Sequence, residues 1–106
     1  MAHHAIEANT IGNLTLMQAG SCEVNAVHLI NETAAITYVQ VFDAAAVANV
    51  TLGTTRARYA LGAAASAVNE GLVGAEAQFV NGIVVACTTT PIGSTTAAAS
   101  VRVWIG

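Results

Sequence analysis

Histidines, cysteines, serines and carboxylates are the side chains of this chain that can do chemistry, and their spacing is the first thing to weigh. His3 and His4 are adjacent and His28 stands alone. Neighbouring residues of an extended segment point in opposite directions, and no Cys-x-x-Cys or His-x-x-x-His spacing supports a closed tetrahedral metal site. A nucleophile would have to come from Ser21, Cys22, Ser66, Cys87, Ser94 or Ser100, with His28 the one histidine outside the N-terminal segment. None of these lies in a Gly-x-Ser-x-Gly elbow or a protease-like cysteine context. The carboxylates Glu7, Glu23, Glu32, Asp43, Glu70 and Glu76 are dispersed, so no acid and base pair is apparent. The glycines form neither a Walker pattern nor a dinucleotide fingerprint. The expectation is a protein that is not an enzyme and uses no metal or cofactor.

Charge narrows the partners further. Only 8% of the residues are Asp, Glu, Lys or Arg, the net charge is -3, and lysine is absent. Arg56, Arg58 and Arg102 are too few and scattered to displace counterions from a phosphate backbone, which argues against nucleic acid. Hydrophobic residues make up 55% of the chain, yet no run approaches the 18 apolar residues of a membrane helix. A surface so poor in charge risks association unless part of it is covered, so membership of an assembly is expected. The start, Met1-Ala-His-His-Ala, lacks the basic and apolar regions of a secretory signal, pointing to synthesis in a cytoplasm. Cys22 and Cys87 allow one disulfide, but without a secretory signal two free, buried thiols are favoured. Asn13, Asn31 and Asn49 each begin an N-glycosylation pattern of the kind that arises by chance in a threonine-rich chain.

The elements that would position these residues are short strands. Ile36 to Asp43 is rich in β-branched and aromatic residues and is apolar on both faces, which predicts a central strand covered on both sides, with Asp43 as its terminal turn residue. Cys22 to Ile30 is a strand expected to pair with it as a hairpin through Asn31-Glu32-Thr33. Leu14 to Met17, Val47 to Leu52, Arg56 to Leu61 and Ala75 to Phe79 are further strand candidates. Asn81-Gly82 predicts a hairpin between Ala75–Phe79 and Ile83–Thr88. Leu61 to Asn69 is alanine-rich enough for a helix, though Gly62 and its short length oppose one. Thr89 to Ala99 is a loop whose single core candidate is Ile92. Val101 to Ile105 alternates, with Arg102 and Trp104 on the face opposite Val101, Val103 and Ile105. The fold class expected is all-β, an antiparallel β-sandwich or jelly roll of seven or eight short strands over residues 13–106, preceded by an extended N-terminal arm over residues 1–12.

Several stretches are similar to a family of small β-sandwich proteins in the virions of tailed bacteriophages. They are Val41-Phe42-Asp43-Ala44-Ala45, then Phe79-Val80-Asn81-Gly82-Ile83-Val84-Val85, a threonine and glycine loop, and the closing strand Val101-Arg102-Val103-Trp104-Ile105. The resemblance implies a capsid decoration, or cement, protein that acts as a homotrimer on the outer capsid surface and clamps neighbouring major capsid protein subunits. A receptor- or carbohydrate-binding module of a head fibre or tail is the alternative. The expected contacts are Ile6, Ile11, Leu14, Leu16, Met17, His28 and Trp104. For Trp104 a place in the core and a place against a neighbouring subunit both stand open.

Overall fold

A computed structural model describes residues 4–71 and 74–105. These form nine strands: β1 (His4–Ile11), β2 (Thr15–Ala19), β3 (Cys22–Asn31), β4 (Thr37–Asp43), β5 (Tyr59–Ala63), β6 (Ser66–Gly71), β7 (Gln78–Phe79), β8 (Gly82–Thr88) and β9 (Ala99–Ile105). Two antiparallel sheets result. The first runs β1-β9-β3-β6, with the short β7 also on β3, and the second runs β2-β8-β4-β5. Their inner faces meet in one core in which Val24, Val27 and Leu29 of β3 and Val101, Val103 and Ile105 of β9 pack with Val39 and Val41 of β4 and Ile83, Val85 and Cys87 of β8. The all-β sandwich is therefore the fold. Burial of each such side chain contributes about 1.5–3 kcal/mol.

Strand β4 is central, as its two apolar faces require, with β8 and β5 as its neighbours. Val39 and Val41 face the core, while Phe42 on the other face joins Ala44, Val50 and Val84 in a second, smaller cluster. Strand β8 is buried along its whole length for the same reason.

Within the expected arm, residues 4–11 form an edge strand. β1 pairs with β9 from His4 opposite Ile105 to Ile11 opposite Ala99. The weak periodicity that suggested an arm has a physical origin. Ile6 and Ile11 are five positions apart and strict alternation would part them, but a register shift between Ala8 and Ile11 lets both face inward. A similar shift between Val24 and Ala26 in β3 sets Val24 on the same face as Val27 and Leu29, where strict alternation would group Val24 with Ala26 and Ile30.

Both expected hairpins are crossovers between sheets. β3 pairs with β9, β6 and β7, and β4 pairs with β5 and β8, so residues 32–36 carry the chain from one sheet to the other. Asn31 makes this crossing possible: its Nδ2 donates to the carbonyls of Ala35 at 2.8 Å and Ala63 at 2.7 Å, and its Oδ1 accepts from the Thr33 amide and hydroxyl. β7 and β8 likewise lie in different sheets, joined by Val80 and Asn81. Val47 to Leu52 holds a single 3-10 turn at Val47–Asn49 and no strand. Leu61 to Asn69 has no helix: β5 ends at Ala63 and β6 begins at Ser66 in the opposite sheet, with Ala65 at φ 48° making the corner. Ile92 is 81% exposed, so it is not a core residue.

Candidate functional site

The two outer faces of the sandwich differ in kind. On the second sheet Gln40, Phe42, Val84, Ala86 and Thr88 point outward, yet all five are buried. Residues 44–57 supply Ala44, Val50, Leu52 and Ala57 over Phe42 and Val84. Residues 89–98 are fastened through Gln40, whose Nε2 donates to Thr88 Oγ1 at 2.9 Å and to the Gly93 carbonyl at 2.9 Å, while Thr88 Oγ1 donates to the Thr90 carbonyl at 2.7 Å. Polar groups buried in an apolar strand need such partners. A cleft of about 380 Å³ lies between these loops, lined in part by Gln40, Arg56, Tyr59, Pro91 and Ile92. Two smaller clefts, of about 240 and 200 Å³, lie beside Asp43 and beside Glu32.

Among the described residues, none forms such a roof over the outer face of the first sheet. Strand register lays out one row as Ala5, Trp104, Ala26 and Gly71, a second as Glu7, Arg102, His28 and Asn69, and a third containing Ser100, Ile30 and Ala67. None of Ala5, Glu7, Trp104, Arg102, Ser100, Ala26, His28, Ile30, Ala67 and Gly71 is buried. Trp104 retains 36% of its surface in contact with solvent, between neighbours no larger than alanine. Arg102 pairs with the Glu7 carboxylate, and its guanidinium carbon lies 6.0 Å from the centre of the indole, at the outer limit of cation–π contact.

At one end of the sandwich Asp43 is more than a turn residue. Its carboxylate accepts hydrogen bonds from the amides of Val80 at 3.0 Å, Asn81 at 2.8 Å and, more weakly, Gly82 at 3.4 Å, and Arg58 stands 3.9 Å away. Burial alone would raise its pKa. The amides of Asn81, Val80 and Gly82, together with the Arg58 charge, outweigh that and hold Asp43 below the usual carboxylate value. Arg58 also lies 5.0 Å from the centre of the Phe79 ring. Both thiols are unpaired: burial, and secondarily the Asp43 charge, push Cys22 up, and burial pushes Cys87 up to about 12.

The expected contact residues are dispersed by this geometry. Ile11 is buried in the core, and Ile6 and Met17 are partly buried and pack against the same core. Leu14 is half-buried under the second cluster. Leu16 is 41% exposed on the edge strand β2. His28 and Trp104 share the unroofed face, which places Trp104 outside the core. His3 lies outside the described residues, and His28 lines none of the three clefts. Among the described residues no three His, Cys, Asp or Glu side chains group as metal ligands. Asn31 is only 1% exposed and its amide is committed, so its glycosylation pattern is closed, whereas Asn13 and Asn49 are exposed. Reasoning from sequence missed the fastening roles of Gln40 and Asp43. A glutamine in the middle of an apolar strand was the one available signal for the first.

No protein-family model matches the chain, and comparison with curated proteins finds no significant relative.

Proposed function

We propose that this protein is a non-catalytic structural component of a tailed-bacteriophage virion, a decoration protein that sits as a homotrimer on the outer capsid surface and bridges major capsid protein subunits. The observation that carries the reading is the β1–β2 margin. These edge strands, one from each sheet, are joined only by Gly12, Asn13 and Leu14. Edge strands present main-chain donors and acceptors to a partner, and natural monomers commonly guard them with lysine, proline or inward charge. β1 and β2 contain neither lysine nor proline, β2 contains no charge and Leu16 is exposed there, so that a single register shift in each strand and Glu7 in β1 are what blunts this margin. Main-chain pairing and apolar burial at this margin suit a permanent partner more than bulk water. The sequence resemblance to small virion sandwiches and the charge-poor composition support the same reading.

The test uses particles of the encoding phage assembled without this protein. Wild-type protein is expected to co-sediment with them and to run as a trimer in native mass measurement. Leu16→Glu, at an exposed position, is expected to lose at least about tenfold in affinity with an unchanged thermal melt. A wild-type chain that stays monomeric at micromolar concentration and does not bind the particles would overturn the proposal.

A further inference from the structure

We propose that the unroofed face of the first sheet is a binding site for a neutral glycan, with Trp104 as its platform; this rests on no part of the virion reading. Three observations point to a sugar. Across the strands Trp104 lies among Ala5, Ala26 and Gly71, none of which can rise above an indole, with Arg102 beside it on its own strand, and it keeps 36% of its surface exposed. The Arg102 guanidinium lies 6.0 Å from the centre of the ring, and the exposed remainder of the indole is what a ligand can reach. The electron-rich side of an indole attracts the electropositive C–H face of a pyranose.

In the adjacent row the Arg102 guanidinium and the Glu7 carboxylate stand side by side, with side chains 38% and 49% exposed. They offer fixed donors and acceptors beside the ring, the combination that vicinal hydroxyls of a stacked sugar require. The third observation is size. Four strands spaced about 4.8 Å apart, each offering roughly six residues at about 3.3 Å, give a face of about 400 Å². That is roughly half of what each partner contributes to a stable protein interface, but ample for two or three sugar rings. A polyproline segment would need an aromatic-lined groove. Here Phe42 and Phe79 are buried and Tyr38 and Tyr59 belong to the other sheet, which leaves one aromatic on a flat surface.

Trp104 is the sole tryptophan, so its emission reports on this face directly. The full chain is titrated with maltotriose, cellotriose and chitotriose, following the emission maximum and quenching by iodide, and each hit is repeated by calorimetry. The expected result is a saturable blue shift with protection from iodide for at least one trisaccharide. By calorimetry Trp104→Ala weakens binding about tenfold or more, Trp104→Phe restores part of it, and Arg102→Gln weakens it with an unchanged thermal melt. Ala26→Glu, which sets a side chain opposite the ring, abolishes the shift. Absence of a shift with all three sugars overturns the proposal, as does a shift that survives Ala26→Glu in a folded protein. A sugar-independent blue shift that grows with protein concentration as the mass doubles assigns the face to a second copy instead. Saturable binding of a decaproline peptide in place of the sugars overturns it equally.

Discussion

Replacing Asp43 by asparagine should loosen the corner where the chain passes from β7 in one sheet to β8 in the other. The carboxylate takes two well-formed amide bonds, at 2.8 and 3.0 Å, and a weak one at 3.4 Å. Hydrogen bonds to a charged group contribute about 1.5–3 kcal/mol each, and this loop is reached by water, so the lower end applies. The Arg58 pair, at 3.9 Å with Arg58 31% exposed, adds less than about 1 kcal/mol. Asparagine keeps one acceptor but turns its NH₂ toward amide donors, so Asp43→Asn should cost about 2 kcal/mol and Asp43→Ala about 3 kcal/mol, or about 10 °C or more in Tm. The difference must also depend on pH. The folded pKa of Asp43 lies below its unfolded value, so the unfolded chain binds more protons in acid. The stabilisation is complete above the unfolded carboxylate range and vanishes as pH falls through the folded value. Urea denaturation followed by Trp104 emission, at about pH 6 and about pH 2.5, should show a gap between wild type and Asp43→Asn that narrows in acid. A gap that is the same at both pH values, or a cost under about 0.5 kcal/mol at pH 6, would refute the latch.

Further outcomes follow from other close contacts. At Gly82, φ is +148° and a Cβ would lie 2.5 Å from the Gln18 carbonyl and 2.7 Å from that of Ala44, so Gly82→Ala should cost about 3 kcal/mol or prevent folding, as read by the urea midpoint and far-ultraviolet dichroism. Cys87 stays protonated in the folded protein up to about 12 while the unfolded thiol ionises near 9.0, so stability should fall by about 1.4 kcal/mol per pH unit across that window, a slope that Cys87→Ala removes from the alkaline denaturation profile. In thiol labelling, half-buried Cys22 should react in the native state well before Cys87, whose modification should track unfolding. Gln40→Ala should free residues 89–98 without dissolving the sandwich, giving faster hydrogen exchange and proteolysis near Pro91 and a loss of about 1–3 kcal/mol.

Much of the fold was legible because strand periodicity is local. Val101, Val103 and Ile105 alternate with Arg102 and Trp104, and β9 buries and exposes them in that order. The doubly apolar run of β4 announced a central strand, and it is covered on both sides. The unroofed face was legible only in part: Arg102 and Trp104 were placed on the face opposite Val101, Val103 and Ile105, with a core position for Trp104 left open, but Ala5, Glu7, Ala26 and His28 join them through pairing among β1, β9 and β3, which are separate in the chain.

Composition and alternation by themselves determined that this chain is a charge-poor β-sandwich, since both are properties of neighbouring residues. Tertiary structure decided what neighbours in sequence do not encode. Turn residues at 31–33 and 81–82 specify that the chain reverses, but the burial available on each sheet decides whether it returns to the same sheet or crosses to the other. Asn31 and Asp43 supply the side-chain hydrogen bonds that satisfy the crossing backbone. Bulges in β1 and β3 set residues of odd spacing on one face, which a period of two cannot anticipate. For that reason residues 4–11 of the segment expected as an extended arm are a strand of the sandwich, with Ile11 in its core.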